Sequence, residues 1–337
     1  MLNSDVRATT GSEATPPEGI PEAPDERRAR KFLCNGLLFV LIGLVLYLGL
    51  YVAADQLIYR YAQRNRFYAV KTAPLAEYNW VILGASHAAV FDYEDMNARL
   101  EQMTGAKILN LSTVGAGVEV NRVVLEYFLA RHQTRAVLYV ADSFAFLTDE
   151  WNEKRFQDTR LFARAPFDLQ LFQVLFRDRA SRSVAWDYLV GFSRINNADR
   201  FKPDITEDEA NRRFNKTYRP VKQIDEKRIK YLYPQQIDQA LFQRYLAEFE
   251  AMVRDLKRRD IHLSVIKPPI PTRVYNMLPN EAEFDAALKG ILERNGIEFH
   301  DFSLVGNEET FFFNPDHLNR KGVLNFYENY LKEILVN

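Results

Sequence analysis

Trp80-Val81-Ile82-Leu83-Gly84-Ala85-Ser86-His87 is the stretch from which the fold is read. Trp80–Gly84 is a short, wholly apolar run, the signature of a strand buried on both faces. A polar group then arrives at once, where such a strand hands over to a helix. The pattern repeats outward. Residues 92–103 are helical in period, with Asp92 as N-cap and Gly105 as the stop. Lys107–Leu111 and Ala136–Ala141 read as strands around a helix at Val118–His132. Ile261–Lys267 and Ile297–Phe302 read as strands around a helix at Glu281–Asn295, and Gly322–Leu335 closes the chain as an amphipathic helix. Alternating apolar strands and helices imply an α/β fold: a three-layer α/β/α sandwich with a central parallel sheet of about five strands. Ligands on such sheets bind beyond the carboxyl ends of the strands.

Between residues 144 and 234 the alternation stops. The stretch is rich in Arg, Phe and Tyr and helical in period. It reads equally as a lid or docking surface over the site and as a helical layer that completes the core.

Upstream of the α/β domain, Phe32–Ala54 carries no charged residue. Its 23 residues make about 34 Å of helix, enough for a hydrocarbon core of roughly 30 Å, and predict a transmembrane helix over 32–54. A cleaved signal peptide fits less well, because the run starts late, is too long and lacks a small-x-small site before Asp55. Residues 1–31, poor in large apolar side chains, are expected to be a disordered cytoplasmic tail. Arg27, Arg28, Arg30 and Lys31 favour an N terminus inside, although Arg60, Arg64 and Arg66 oppose them. The expectation is a single-pass protein of the cytoplasmic (inner) membrane. Residues 55–77 would be a juxtamembrane linker, with 55–66 a helical continuation into an aromatic and basic interfacial collar, and 78–337 a domain on the periplasmic or extracellular side.

The 337 residues carry 44 Lys+Arg against 45 Asp+Glu, a net charge of −1. That balance argues against a strongly basic nucleic-acid binder. The single cysteine, Cys34, excludes an internal disulfide and any multi-cysteine metal site, and five histidines leave little room for a histidine-rich zinc cluster. No cofactor and no metal is expected.

Three strand ends collect the chemistry. Ser86 follows the first strand, and a serine there can be a nucleophile or a helix cap. Asn110-Leu-Ser-Thr-Val-Gly115 follows the second, and Gly115 would let a backbone N–H approach an oxyanion, or simply make a turn. Asn314-Pro-Asp316-His317-Leu-Asn-Arg-Lys-Gly322 precedes the final helix. A histidine there can reach across to Ser86 as general base, or serve a surface or capping role.

In this order and at these positions, the three motifs resemble the SGNH/GDSL hydrolase superfamily. They are closest to its membrane-anchored branch, which acts in teichoic-acid D-alanylation (the dlt system) and alginate O-acetylation. The resemblance covers roughly residues 78–143 and 261–335. It implies Ser86 as nucleophile, His317 as base, and an oxyanion hole from the N–H groups of Ser86 and Gly115. The family's third oxyanion donor, an asparagine after strand three, is missing; Asp142 and Ser143 stand there, and Ser143 is the better candidate because a carboxylate would repel an oxyanion. The family's acid three residues before the histidine is Asn314 here. Asn314 or Asp316 would orient the imidazole, with Asp301 a third candidate. The implied function is a membrane-anchored serine esterase or O-acyltransferase acting on an envelope polysaccharide or lipid-linked saccharide, with a multi-span membrane acyltransferase as partner. The alternative is a catalytically decayed docking or polymer-binding subunit of an envelope acylation complex. A nucleotide or phosphate site is disfavoured, since the chain lacks a suitably spaced Gly-rich loop and its lysine.

Overall fold

A computed structural model of the chain describes residues 26–157, 159–197 and 205–336. The expected disordered tail lies outside these up to residue 25, but residues 26–31 are helical. One 36-residue helix, Glu26–Tyr61, takes in the charged run, the uncharged segment and the start of the expected linker. Arg, Lys, Glu and Ala are good helix formers, and lengthening an existing helix needs no new nucleus. The helix is long and apolar enough to cross a membrane. The chain divides into two units at Leu50/Tyr51. In the first, apolar side chains such as Phe32, Leu37 and Phe39 are exposed, the reverse of a soluble core helix.

The second unit is built on five parallel strands: β1 (Glu77–Gly84), β2 (Ile108–Asn110), β3 (Gln133–Val140), β4 (His262–Lys267) and β5 (Glu298–Asp301). Their spatial order is β2-β1-β3-β4-β5. Side chains alternate across the sheet as the pleat requires. Val81, Leu83, Val137, Tyr139, Leu263 and Val265 pack to one side, with helices Val118–Leu129, Gln239–Arg258 and Glu281–Asn295. Trp80, Ile82, Leu138, Val140 and Ile266 pack to the other, with Met96–Thr104 and Arg320–Phe326. The architecture is the expected three-layer α/β/α sandwich. The strand order reverses direction between β1 and β3, and open α/β sheets place their sites at the carboxyl end of such a switch point.

Local boundaries differ from expectation where side chains have other duties. The helix expected from Asp92 starts at Met96, because Asp92 is held by the Arg66 guanidinium at 2.6 Å. The linker continues the helix to Tyr61 as expected, and its second part is structured too. Helix Arg66–Thr72, capped by the Asn65 side chain, buries Phe67 and Val70 in the core. The 144–234 stretch contributes to the core, and one of its helices also reaches the strand ends. Phe144, Phe146, Phe162, Leu171 and Leu175 are fully part of the core, while helix Lys222–Leu232 reaches the site described below.

Gly84, the last residue of β1, sets the geometry of the turn that carries Ser86. Its φ is +145°, and a Cβ there would lie 2.9 Å from the Val140 carbonyl oxygen. Its N–H donates to Asn121 Oδ1 and its carbonyl accepts from the Thr113 N–H, both at 3.0 Å, so it cannot shift aside. Gly84→Ala should therefore cost about 2–4 kcal/mol from backbone strain and overpacking. The thermal midpoint of the full chain in detergent, followed by circular dichroism, should fall clearly; an unchanged midpoint would mean that the turn tolerates a side chain.

Candidate active site

Ser86 and His87 open a single helical turn, Ser86–Ala89, directly beyond β1. Asp142 and Ser143 lie directly beyond β3, and Asn314–His317 sit in the loop before helix Arg320–Phe326. Chain topology thus gathers them at the carboxyl end of the sheet. Ser86, His87, Asp142, Ser143, Asp316 and His317 are all buried.

The histidine loop is held by its own sequence. Asn319 caps the final helix by accepting from the Gly322 N–H at 3.0 Å, and its amide donates to the carbonyls of Thr310 (2.8 Å) and Lys216 (3.1 Å). Gly322 is required because a Cβ would fall 2.4 Å from the Phe311 carbonyl oxygen. The Phe313 N–H donates to the His317 carbonyl at 3.0 Å, closing the loop around residues 314–316.

Inside that loop His317 is fixed at one nitrogen. Nδ1 lies 2.9 Å from Asp316 Oδ1 and 3.1 Å from Asn314 Oδ1. Both partners are acceptors, so Nδ1 carries the proton and Nε2 is the bare, basic nitrogen. Side chains of sequence neighbours usually diverge, which by itself would keep Asp316 away from His317. The turn overrides that expectation: Asn314 Oδ1 accepts from the backbone N–H groups of Asp316 (3.1 Å) and His317 (2.8 Å), curling the chain until both side chains face inward. Asn314 therefore builds the turn and shares the Nδ1 proton, while the carboxylate comes from Asp316. Among the described residues the side-chain hydrogen bonds of His317 do not reach Ser86, and such contacts often tighten only when substrate binds.

Two groups were not singled out from sequence. His87 Nδ1 is 2.6 Å from Asp142 Oδ1, and its Nε2 is 3.4 Å from Asp316 Oδ2. Its ring lies on that of His317, with centroids 4.5 Å apart. Arg228, from the helix Lys222–Leu232, donates to Asp316 Oδ2 at 2.7 Å. These charges set the protonation pattern. Burial lowers the His87 pKa, but Asp142 and then Asp316 outweigh it and push it up to about 10. Burial dominates for His317, whose pKa is pulled down to about 4 with the charge on His87 assisting and Asp316 opposing. Burial of Asp316 would raise its pKa, yet Arg228 and His317 hold it well below the usual carboxylate range. At neutral pH the pair is an imidazolium, His87, beside a neutral imidazole, His317. A histidine directly after the strand-end serine was the only signal in the sequence; nothing local pointed to Arg228.

Ser86 is the first residue of its helical turn, where the backbone N–H lacks a helical partner. Gly115 has φ +68°, and a Cβ would press on the Trp151 ring at 3.1 Å, so only glycine suits both backbone and space. The Ser143 hydroxyl donates to Glu281 Oε2 at 2.5 Å and meets the Tyr233 hydroxyl at 2.8 Å. Its proton is thus spent on a buried carboxylate that also binds Lys267 at 2.7 Å. Asp301 is likewise engaged elsewhere, accepting from the Ser303 N–H and hydroxyl. Pro268 and Pro269 line a cavity of about 30 Å³ with His87, Ser143 and Lys267. His87, Asp316 and His317 offer metal-ligating atoms within 4.8 Å of one another. A cation there would have to compete with Arg228 for Asp316 and with Asp142 for His87.

A scan against protein-family models matches none, and a search of curated proteins finds no match. Among solved structures, one similar chain is a Bacteroides fragilis protein whose assignment as an acylhydrolase is itself provisional. It is 10% identical, with 80% of this chain and 96% of that chain covered, at a TM-score of 0.37.

Proposed function

We propose that the chain is a membrane-anchored enzyme of acyl-ester chemistry, with Ser86 as nucleophile and His317 as general base. The observation that carries this reading is the tautomer of His317: Nδ1 donates to Asp316 and Asn314, leaving Nε2 basic at the carboxyl end of β1, where Ser86 sits. In this reading Ser86 Oγ attacks the carbonyl carbon of an ester as its proton passes to His317 Nε2. The tetrahedral oxyanion is met by the N–H groups of Ser86 and Gly115. The C–O bond to the leaving alcohol breaks as His317 returns the proton to it. Water, or a sugar hydroxyl, then attacks the acyl-enzyme by the same route in reverse. Water makes an esterase; a hydroxyl acceptor makes an O-acyltransferase.

Residues 32–54 would cross the cytoplasmic membrane with the N terminus inside, placing the α/β domain on the periplasmic or extracellular side. The substrate class would be an envelope polysaccharide or lipid-linked saccharide, with a multi-span membrane acyltransferase delivering acyl groups. The test is labelling of the detergent-solubilised full chain by a fluorophosphonate, which reacts only with an activated serine. Labelling at Ser86 supports the reading. A folded chain that resists the probe in the presence and absence of membrane partners would point to a docking subunit instead.

The low pKa of His317 gives a pH signature. A base must be unprotonated to act, and this one is so at every pH above about 4. kcat/KM for an activated ester should stay level from about pH 8 down to about pH 6 and fall only as the pH approaches that value. An acid limb at the ordinary histidine pKa would show that His317 is not the buried base described here.

A further inference from the structure

Within the second unit, the last turns of the long helix are tied to residues 165–194. Asp55 Oδ1 accepts from the Phe167 N–H at 2.7 Å and from Arg194 at 2.8 Å. Arg194 is 1% exposed; it donates to the Ala165 carbonyl at 3.1 Å and lies over the rings of Tyr51 (5.3 Å) and Tyr188 (5.1 Å). Gly191, at φ +77°, packs so closely on Tyr51 that a Cβ would lie 2.3 Å from its ring. Tyr51 belongs to the uncharged segment 32–54, near its end. By chain connectivity, whatever packs on Tyr51 lies at the depth where that segment leaves the bilayer.

What packs there presents an apolar face outward. Helices Leu169–Arg177 and Arg182–Val190 bury Leu171, Leu175, Ala185 and Tyr188, yet Leu169, Phe176, Trp186, Val190 and Phe192 remain exposed. Phe172, Phe176 and Trp186 form a mutual ring cluster with centroids 5.7–6.0 Å apart, and the Arg182 guanidinium covers Phe176 at 5.8 Å. Most of the charge there is basic, the exposed Asp187 being engaged by the Ser193 N–H at 3.3 Å. Asp168 and Asp178 turn inward to Arg131 and Arg122, while Arg177, Arg179 and Arg182 face out. Exposed Trp and Phe rimmed by Arg is the composition of a helix that lies in a bilayer interface and meets anionic headgroups.

We propose that residues 169–192 form a membrane foot, the amphipathic helix Leu169–Arg177 and the helix Arg182–Val190 packed on it, whose exposed aromatic face lies in the interfacial layer of an anionic bilayer. The proposal rests on the reading of residues 32–54 as a membrane span. With two attachments the α/β domain would not swing freely about one helix, and its site would keep a set height above the lipid.

The chain has three tryptophans. Trp80 and Trp151 are 6% and 8% exposed, against 55% for Trp186, so lipid contact reports on Trp186. The full chain is reconstituted into vesicles of phosphatidylethanolamine and phosphatidylglycerol, with and without phosphatidylglycerol brominated on its acyl chains. Brominated lipid should quench roughly the emission share of one tryptophan in three. The conservative variant Trp186→Phe should remove that quenchable share. Phe192→Glu should reduce the quenching while the protein still resists alkaline carbonate extraction. Equal quenching in wild type and Trp186→Phe, with the protein still resisting extraction, would overturn the foot and leave the span standing. Release by carbonate would overturn the span, and the foot with it.

Discussion

Ser86→Ala and His317→Ala should each lower hydrolysis of an activated ester by the full chain about a thousandfold or more, and the double variant should be hardly slower than either single one. Nucleophile and base act as one unit, so the second deletion removes little that the first left. Both variants should keep the far-UV spectrum and thermal midpoint of the parent within a few degrees. Ser86 carries no side-chain contact on which the described fold depends, and Asn319 and Gly322 hold the histidine loop independently of the ring. Losses that multiply in the double variant would mean that the two residues act separately, and the acyl-enzyme route would fail. Single-turnover measurement of the acylation burst checks the same point directly, since Ser86→Ala must abolish the burst.

The second large effect belongs to Asp316. Its carboxylate faces three cationic or proton-bearing groups at once: His317 Nδ1 at 2.9 Å, His87 Nε2 at 3.4 Å and Arg228 Nε at 2.7 Å. Asp316→Asn should cost about 10³–10⁴ in kcat, because the imidazolium formed during attack loses its counter-charge and the tautomer is no longer enforced. Asn314→Ala removes a turn-builder and a shared acceptor but leaves the carboxylate, so the loss should be smaller, roughly tenfold to a hundredfold. The reverse ranking would make Asn314 the orienting group. Arg228→Met tests the electrostatics separately. With the guanidinium gone, the pKa of Asp316 rises toward ordinary carboxylate values, and the acid limb of the rate profile moves to higher pH. A limb that stays in place would show that Arg228 does not hold that charge.

The strands were legible because each is an apolar run bounded by polar or glycine residues, a pattern that depends only on neighbours in sequence. The parallel sheet and both helical layers followed from it, and Ser86 and Gly115 after strands and His317 before the last helices stood out as candidates. The continuation of the helix past the uncharged segment was legible, but its anchorage was not: Asp55 pairs with the distant Arg194. Asn314 and Asp316 could not be ranked from sequence either, because the turn that brings both onto one nitrogen is made by Asn314 itself through backbone N–H groups.

The sequence by itself determined the α/β class, the apolar N-terminal helix, the serine's place at a strand end and the histidine's place before the closing helix, since all of these are written in local periodicity. Only the tertiary structure decided the chemistry around them. His87 became the partner of Asp142, 55 positions away, because β1 and β3 are neighbours in the sheet. Arg228 became the counter-ion of Asp316, 88 positions away, because a helix of the irregular stretch folds back over the strand ends. Charges couple through space, over a few ångströms of low-dielectric interior, and that separation is set by packing rather than by position in the chain.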